Sequence, residues 1–335
     1  MEQLTGFLLV IMAGTFQGLF MLPSTMTKNW KWEHYWMLFA MLGMFVINVL
    51  IGLLLMPQIL DIYRSVPLGN IFFLMAFGML CGAGSVLFGL AMARLGMALG
   101  YPIIMGVNAG AGALLPMLIF NPLSAISLKG ILVFTGVLMI VGGVIFCGKA
   151  NALKENSSDT RRTSKKYVSG IAMAIVAGVL SSAPNLAMVL SGNLIQTAVS
   201  FGVSESSAGN IVWPLFFTFG AIVNVGYCVF LIIKNKNVKD FFVNFSLRNA
   251  ALIFAMSLLW ILSLYLYGMS AGKLGNWGTI IGWALFVSLS IIIGTLAGIW
   301  RGEWPDNLVK QKRYLNIGLG ILVLAVFVIS LSNMV

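Results

Sequence analysis

Four side-chain amides, Gln17, Asn108, Asn185 and Asn224, and three indoles, Trp213, Trp260 and Trp283, all fall inside long apolar stretches of this 335-residue chain. Amides and indole N–H groups hydrogen-bond hydroxyls, and an aromatic face stacks on the apolar C–H face of a sugar ring. Tyr267, beside Tyr265 in one of the same stretches, adds a phenol to this set, and Asn48, Ser181, Thr218, Ser288 and Ser290 add further amide and hydroxyl groups. Such groups suit a small neutral polyol. The competing reading is structural, because amides and hydroxyls also tie helices together and tryptophan favours membrane interfaces. Packing is the stronger reading for any single amide, whereas Trp260, in mid-stretch, favours a pocket.

Other chemistries find little support. No Ser/His/Asp set, pair of intramembrane acids, metal cluster or phosphate loop is visible, so neither an enzyme nor a cofactor or metal is expected. Cys81, Cys147 and Cys228 lie inside apolar stretches without metal-ligand spacing and read as small packing residues. No Asp, Glu or His falls in the interior of any stretch, while Arg94, Lys129 and Lys273 sit at ends, where their long stems let the charge reach water. Proton relays and cation exporters usually place a carboxylate or histidine in the pathway. A neutral cargo fits better. The acids nearest the stretches on the basic side are Glu33, with the sole histidine His34, and Glu303. Each is read as either a surface anchor or a proton-linked gate.

The elements that must position these groups follow from composition. With 60% hydrophobic residues, 9% charged and a mean hydropathy of +0.99, the chain cannot coat a soluble globule, since soluble domains carry roughly 25% charged residues. Ten apolar blocks run over 4–22, 35–56, 69–93, 98–120, 129–148, 168–190, 209–232, 249–270, 277–300 and 314–333. They are continuously apolar and long enough for helices, not barrel strands. Seventeen of the 20 basic residues lie in the connections after odd-numbered blocks, which puts those connections in the cytoplasm and both termini outside. The net charge of +11 is therefore topology, not a nucleic-acid signal. The start, Met1-Glu2-Gln3, has no basic leader region and reads as a retained first span.

The two halves resemble each other. Gly89 to Gly96 matches Gly268 to Gly275 at an offset of 179, pairing Arg94 with Lys273, and Gly6, Ala13 and Gly14 match Gly170, Ala177 and Gly178 at an offset of 164. Five spans being odd, the second copy must enter the membrane inverted. The expected architecture is an all-α integral membrane protein of ten helices in two inverted five-helix repeats, 1–150 and 168–335, joined by a cytoplasmic linker, 151–167. Inverted repeats with a midplane site between them are a transporter arrangement. Pro102, Pro116, Pro184 and Pro214 are candidate hinges or kinks.

Over nearly its whole length the chain resembles the L-rhamnose–proton symporter family of the drug/metabolite transporter superfamily. The resemblance rests on Pro23 with Lys28, Trp30-Lys31-Trp32-Glu33 and Trp36; on Gly89-Leu90-Ala91-Met92 with Leu95-Gly96-Met97; on Ala221 to Cys228 around Asn224; on Trp260 and Tyr267; and on Trp283 with Glu303-Trp304. It implies a bacterial inner-membrane carrier with periplasmic termini that imports a deoxyhexose with a proton. It also implies Trp260 and Trp283 as sugar-contacting aromatics, Asn224 as a polar position, and Glu33 and Glu303 as shared cytoplasmic acids. One departure stands out. The family pattern has an aspartate flanked by tyrosines where this chain reads Trp277-Gly278-Thr279-Ile280, and Thr279 cannot titrate. The candidate coupling or gating positions are thus Glu33, Glu303, Thr279 and Lys273. The alternative is an exporter of another small polar metabolite, as elsewhere in the superfamily; a non-transporting membrane assembly is disfavoured by the repeat.

Overall fold

The computed structural model describes residues 2–120, 122–156, 163–274, 282–304 and 309–332, and every regular element among them is helical. In chain order they are α1 (Glu2–Leu19), α2 (Trp32–Phe39), α3 (Asn48–Leu55), α4 (Ile59–Ser65), α5 (Leu68–Leu95), α6 (Met97–Phe120), α7 (Leu128–Asn156), α8 (Thr163–Leu180), α9 (Ala183–Leu190), α10 (Gly192–Ser200), α11 (Glu205–Ala208), α12 (Val212–Lys234), α13 (Val238–Val243), α14 (Leu247–Leu274), α15 (Trp283–Trp300) and α16 (Val309–Leu331). A π-helical stretch, Ala40–Ile47, joins α2 to α3 without a break in the rod. Such wide turns are rare and recur at functional sites.

Among the described residues, eight helical segments are long and apolar enough to cross a membrane. Two further apolar helices, Lys166–Leu180 and Leu285–Trp300, fall short of that length. The physical reason differs between them. The sixth apolar block is interrupted at Ser181 and Ser182, where α8 stops and α9 restarts with Pro184 in its first turn; a proline is tolerated there because it lacks an N–H that the first turn leaves unpaired anyway. The ninth block begins at 277, inside the 275–281 segment that lies outside the described residues.

The outside of the molecule is greasy. Leu54 is 80% exposed and Leu138 72%, the reverse of a soluble surface and what lipid-facing helices require. Inside, small residues set the helix spacing. At the crossing of α5 and α12 a β-carbon on Gly82 would lie 2.6 Å from the Gly220 carbonyl oxygen, so any side chain there would force the helices apart. Two contacts at the ends of the rods answer each other. Gly6 of α1 packs on Leu274 at the end of α14, and Gly170 of α8 packs on Leu95 at the end of α5. Likewise Gly14 of α1 meets Phe286 and Leu289 of α15, while Gly178 of α8 meets Ile104 and Val107 of α6.

Candidate functional site

Between these helices lies a cavity of about 630 Å3, within the roughly 300–1,000 Å3 usual for small-molecule sites. One wall is a continuous ladder of rings. Trp213 stacks on Phe217 at 5.4 Å between centroids, Phe217 meets Trp260 edge-on at 4.8 Å, Trp260 meets Phe39 at 5.5 Å, Phe39 meets Trp36 at 5.0 Å, and Trp36 stacks on Trp32 at 5.4 Å. The rungs come from α12, α14 and α2, and all but Trp32 line the cavity. Phe20 and Phe88 close the same end, 5.7 Å apart. At the opposite end, the one bearing the start of α1, the lining includes Glu205, Ser206 and Gly272, and Glu205 is exposed. The chamber is therefore open at one end and sealed by aromatics at the other.

Polar groups are placed in this apolar chamber by a network. Pro214 lies in the first turn of α12, so the helix starts just before it and Trp213 stands at its mouth. Trp213 Nε1 donates to Asn210 Oδ1 at 3.0 Å, and Asn48 Nδ2, following the π-helical stretch, donates to the Trp213 carbonyl at 2.9 Å. Tyr265 donates in turn to Asn48. Gln17 is held by Ser263, whose Oγ lies 2.5 Å from Gln17 Oε1 and 2.6 Å from the Trp260 carbonyl, while Tyr101 donates to the Gln17 carbonyl at 2.5 Å.

Among the described residues, two polar atoms on the cavity lining are left over. Asn108 Oδ1 on α6 and Ser330 Oγ on α16 line the cavity and are buried without a hydrogen-bond partner, their residues being 8% and 2% exposed. A buried polar atom without a partner is costly and rare in folded proteins. Hydroxyls of a bound polyol can satisfy both, donating to the amide oxygen and exchanging a bond with the serine.

Of the residues singled out from sequence, Gln17, Asn108, Trp213, Trp260 and Tyr267 line this cavity. Asn224 does not. It is fully buried between α12, α2 and α5, accepting from Trp36 Nε1 at 2.8 Å and donating to the Gly82 and Gly220 carbonyls at 3.0 and 2.8 Å. Its contribution is to hold Trp36 against the glycine crossing. The side chains of Asn185 and Trp283, and all of Thr279, lie outside the described residues. Lys273 sits half-buried in the last turn of α14, beside the open end.

Glu33 and Glu303 are at the sealed end, away from the cavity lining. Glu33 is buried and accepts from Asn235 Nδ2 at 2.9 Å and Asn237 Nδ2 at 2.6 Å, joining the start of α2 to the turn after α12. The Lys31 to Asp240 ion pair at 3.2 Å and the Trp30 ring stacked on Phe241 at 5.4 Å bridge α13 to the same entrance. Glu303 takes the backbone N–H groups of Met97 and Ala98 at 2.9 and 2.8 Å. It thereby caps α6 from the far end of α15, a placement that matches a carboxylate to unpaired donors at a helix start. Gly96, at φ +77°, makes the turn that brings those donors to it.

Among the lining residues that sequence reasoning did not place at the site are Trp36, Cys81, Glu205 and Ser330. Trp36 carried a signal, since it stands four residues after Trp32 and such neighbours share a helix face. Glu205 lay between two apolar blocks, and nothing in a linear reading turns a connection back over the cavity.

Among the described residues no group of three or more His, Cys, Asp or Glu could hold a metal ion. The model of the family described as L-rhamnose-proton symport protein matches residues 3–335. The L-rhamnose-proton symporter of Escherichia coli O9:H4 (strain HS) is 26% identical over 320 residues, 93% of each chain. That of Yersinia pestis (strain Pestoides F) is 24% identical over the same span. No solved structure matches the chain. With the family model covering all but the first two residues, this chain belongs to the L-rhamnose-proton symport protein family.

Proposed function

We propose that the protein imports L-rhamnose or a closely similar monosaccharide together with a proton, by alternating access. The observation that carries the sugar is the cavity itself. An aromatic ladder offers ring faces to an apolar sugar face, and Gln17, Asn108 and Ser330 offer hydrogen bonds to its hydroxyls. The family and its relatives, named for rhamnose and proton transport, supply the direction of inference.

The same reading gives the chain ten membrane passes, counting α15 and the α8 to α9 segment among them, arranged as inverted halves 1–150 and 168–335 with the linker 151–167 between. The contact of Gly6 with Leu274 answers that of Gly170 with Leu95, and the contact of Gly14 with Phe286 and Leu289 answers that of Gly178 with Ile104 and Val107; both support it, because a two-fold exchange of halves turns each contact into the other. The distribution of lysine and arginine supports a cytoplasmic sealed end and outside termini, in a bacterial inner membrane. The cavity then faces outward, ready to load. The break at Ser181 and Ser182 lies on its wall, where irregular backbone within a membrane is tolerated.

The test is uptake by purified protein in liposomes, offered labelled L-rhamnose and a panel of monosaccharides, with and without an inward proton gradient. Gradient-dependent accumulation of rhamnose is expected. Uptake of no sugar would refute the substrate, and uptake indifferent to the gradient would refute the coupling.

A further inference from the structure

The wall of the cavity carries one carboxylate among the described residues. Glu205, the first residue of α11, stands at the open end, exposed to water. The other ionisable groups on the lining are the Cys81 thiol and the Tyr267 phenol. The short helix α11 packs against α10, α14 and the turn at 209–211. Neither α10 nor that turn carries a charged residue. On α14 the nearby charge is Lys273, and among the described residues Glu205 forms no ion pair with it. One layer further out, α4 holds Asp61 and Arg64, which pair with each other at 3.6 Å, and Tyr63, whose hydroxyl donates to the Ile211 carbonyl. Gly272 brings the end of α14 against α11 so closely that a β-carbon there would lie 2.6 Å from Ser206 Cα. The end of α14 and the start of α11 are therefore in direct backbone contact.

Alternating access requires this end to close over the sugar. Closure would carry Glu205 from water toward the apolar part of the lining, where Met188 and Ile195 stand. A carboxylate resists that transfer as an anion, because its hydration is lost and the Met188 and Ile195 side chains donate no hydrogen bond to replace it; as a neutral acid it does not. We propose that Glu205, the carboxylate on the wall of the cavity, is the proton-coupling group of this transporter. The inference rests on the symport reading given above. A proton from the outer solution binds a Glu205 carboxylate oxygen, the neutralised end closes, and the same proton leaves to water entering the cavity from the cytoplasmic side. Loss of the proton then leaves a buried anion, which favours reopening outward and resets the empty carrier.

Wild type, Glu205→Gln and Glu205→Asp in liposomes, compared in two assays, test this. One is sugar accumulation driven by an inward proton gradient; the other is exchange of labelled for unlabelled rhamnose with no gradient, across a range of pH. We expect Glu205→Gln to lose at least tenfold of the driven accumulation while keeping exchange, which no longer depends on pH, and Glu205→Asp to retain both accumulation and pH dependence. Accumulation by Glu205→Gln at the wild-type level would overturn the assignment. So would loss of exchange along with accumulation, which would make the residue a structural or sugar-binding one. A wild-type chain that exchanges rhamnose yet never accumulates it would instead remove the symport reading, and this inference with it.

Discussion

Trp260 and Asn224 look alike in the sequence, each a polar-edged side chain within an apolar span, and the fold gives them different work. Trp260 faces the cavity at the centre of the aromatic ladder, whereas Asn224 spends its amide on Trp36 and two backbone carbonyls. Replacing Trp260 by alanine should weaken rhamnose binding about tenfold, the ~1.4 kcal/mol expected of one lost stacking face, and should also lower thermal stability, because the ring packs on Phe217 and Phe39. Asn224→Ala should lower stability by about 2 to 4 kcal/mol, since it leaves a buried indole N–H unpaired and removes two further bonds. Thermal unfolding in detergent beside a rhamnose titration separates the two. A loss of binding without a loss of stability in Asn224→Ala would show that Asn224 acts on the sugar directly.

At the scale of elements, the sealed end is a latch between α2 and the turn following α12, with α13 reinforcing it. Its centre is the Glu33 carboxylate, tied to Asn235 and Asn237. Hydrogen bonds to a charged acceptor contribute roughly 1.5 to 3 kcal/mol each, so severing them is enough to shift a balance between sealed and open states by tenfold or more. Cys81 reports on that balance, being a free thiol on the cavity wall. In a chain with Cys147 and Cys228 replaced by alanine, Glu33→Ala should raise the rate at which a membrane-impermeant thiol reagent labels Cys81 from the cytoplasmic side. An unchanged rate would mean that the aromatic plug of Phe20, Trp36 and Phe88 holds the seal without the latch.

For the whole molecule, the open and sealed ends define a single direction of approach. The same Cys81 should react with reagent applied from the outer side of the membrane, and saturating rhamnose should slow that reaction several-fold by occupying the space in front of it. Protection without sidedness would indicate a population divided between the two states. The packing that permits such a switch is made of small residues. Gly14 and Gly178 bring α1 against α15 and α8 against α6 with no side chain of their own between them, the packing that the proposed rocking of two halves would use.

The division between what was legible in the chain and what was not follows from range. Membrane residence, helicity and the scarcity of charge in the spans are properties of local runs, decided by how 20-residue windows partition into lipid, and all could be read from the sequence by itself. Trp213, Trp260, Gln17, Asn108 and Tyr267 were within reach as candidates, although packing competes for every polar group in an apolar span. Which amide faces the cavity and which staples helices depends on helix rotation and on partners up to 246 residues away, as for Gln17 and Ser263. Only tertiary structure decides that. It also decides that one end is shut, that Glu33 and Glu303 brace that end, and that Glu205, hidden in a connecting segment, is folded back onto the wall of the chamber.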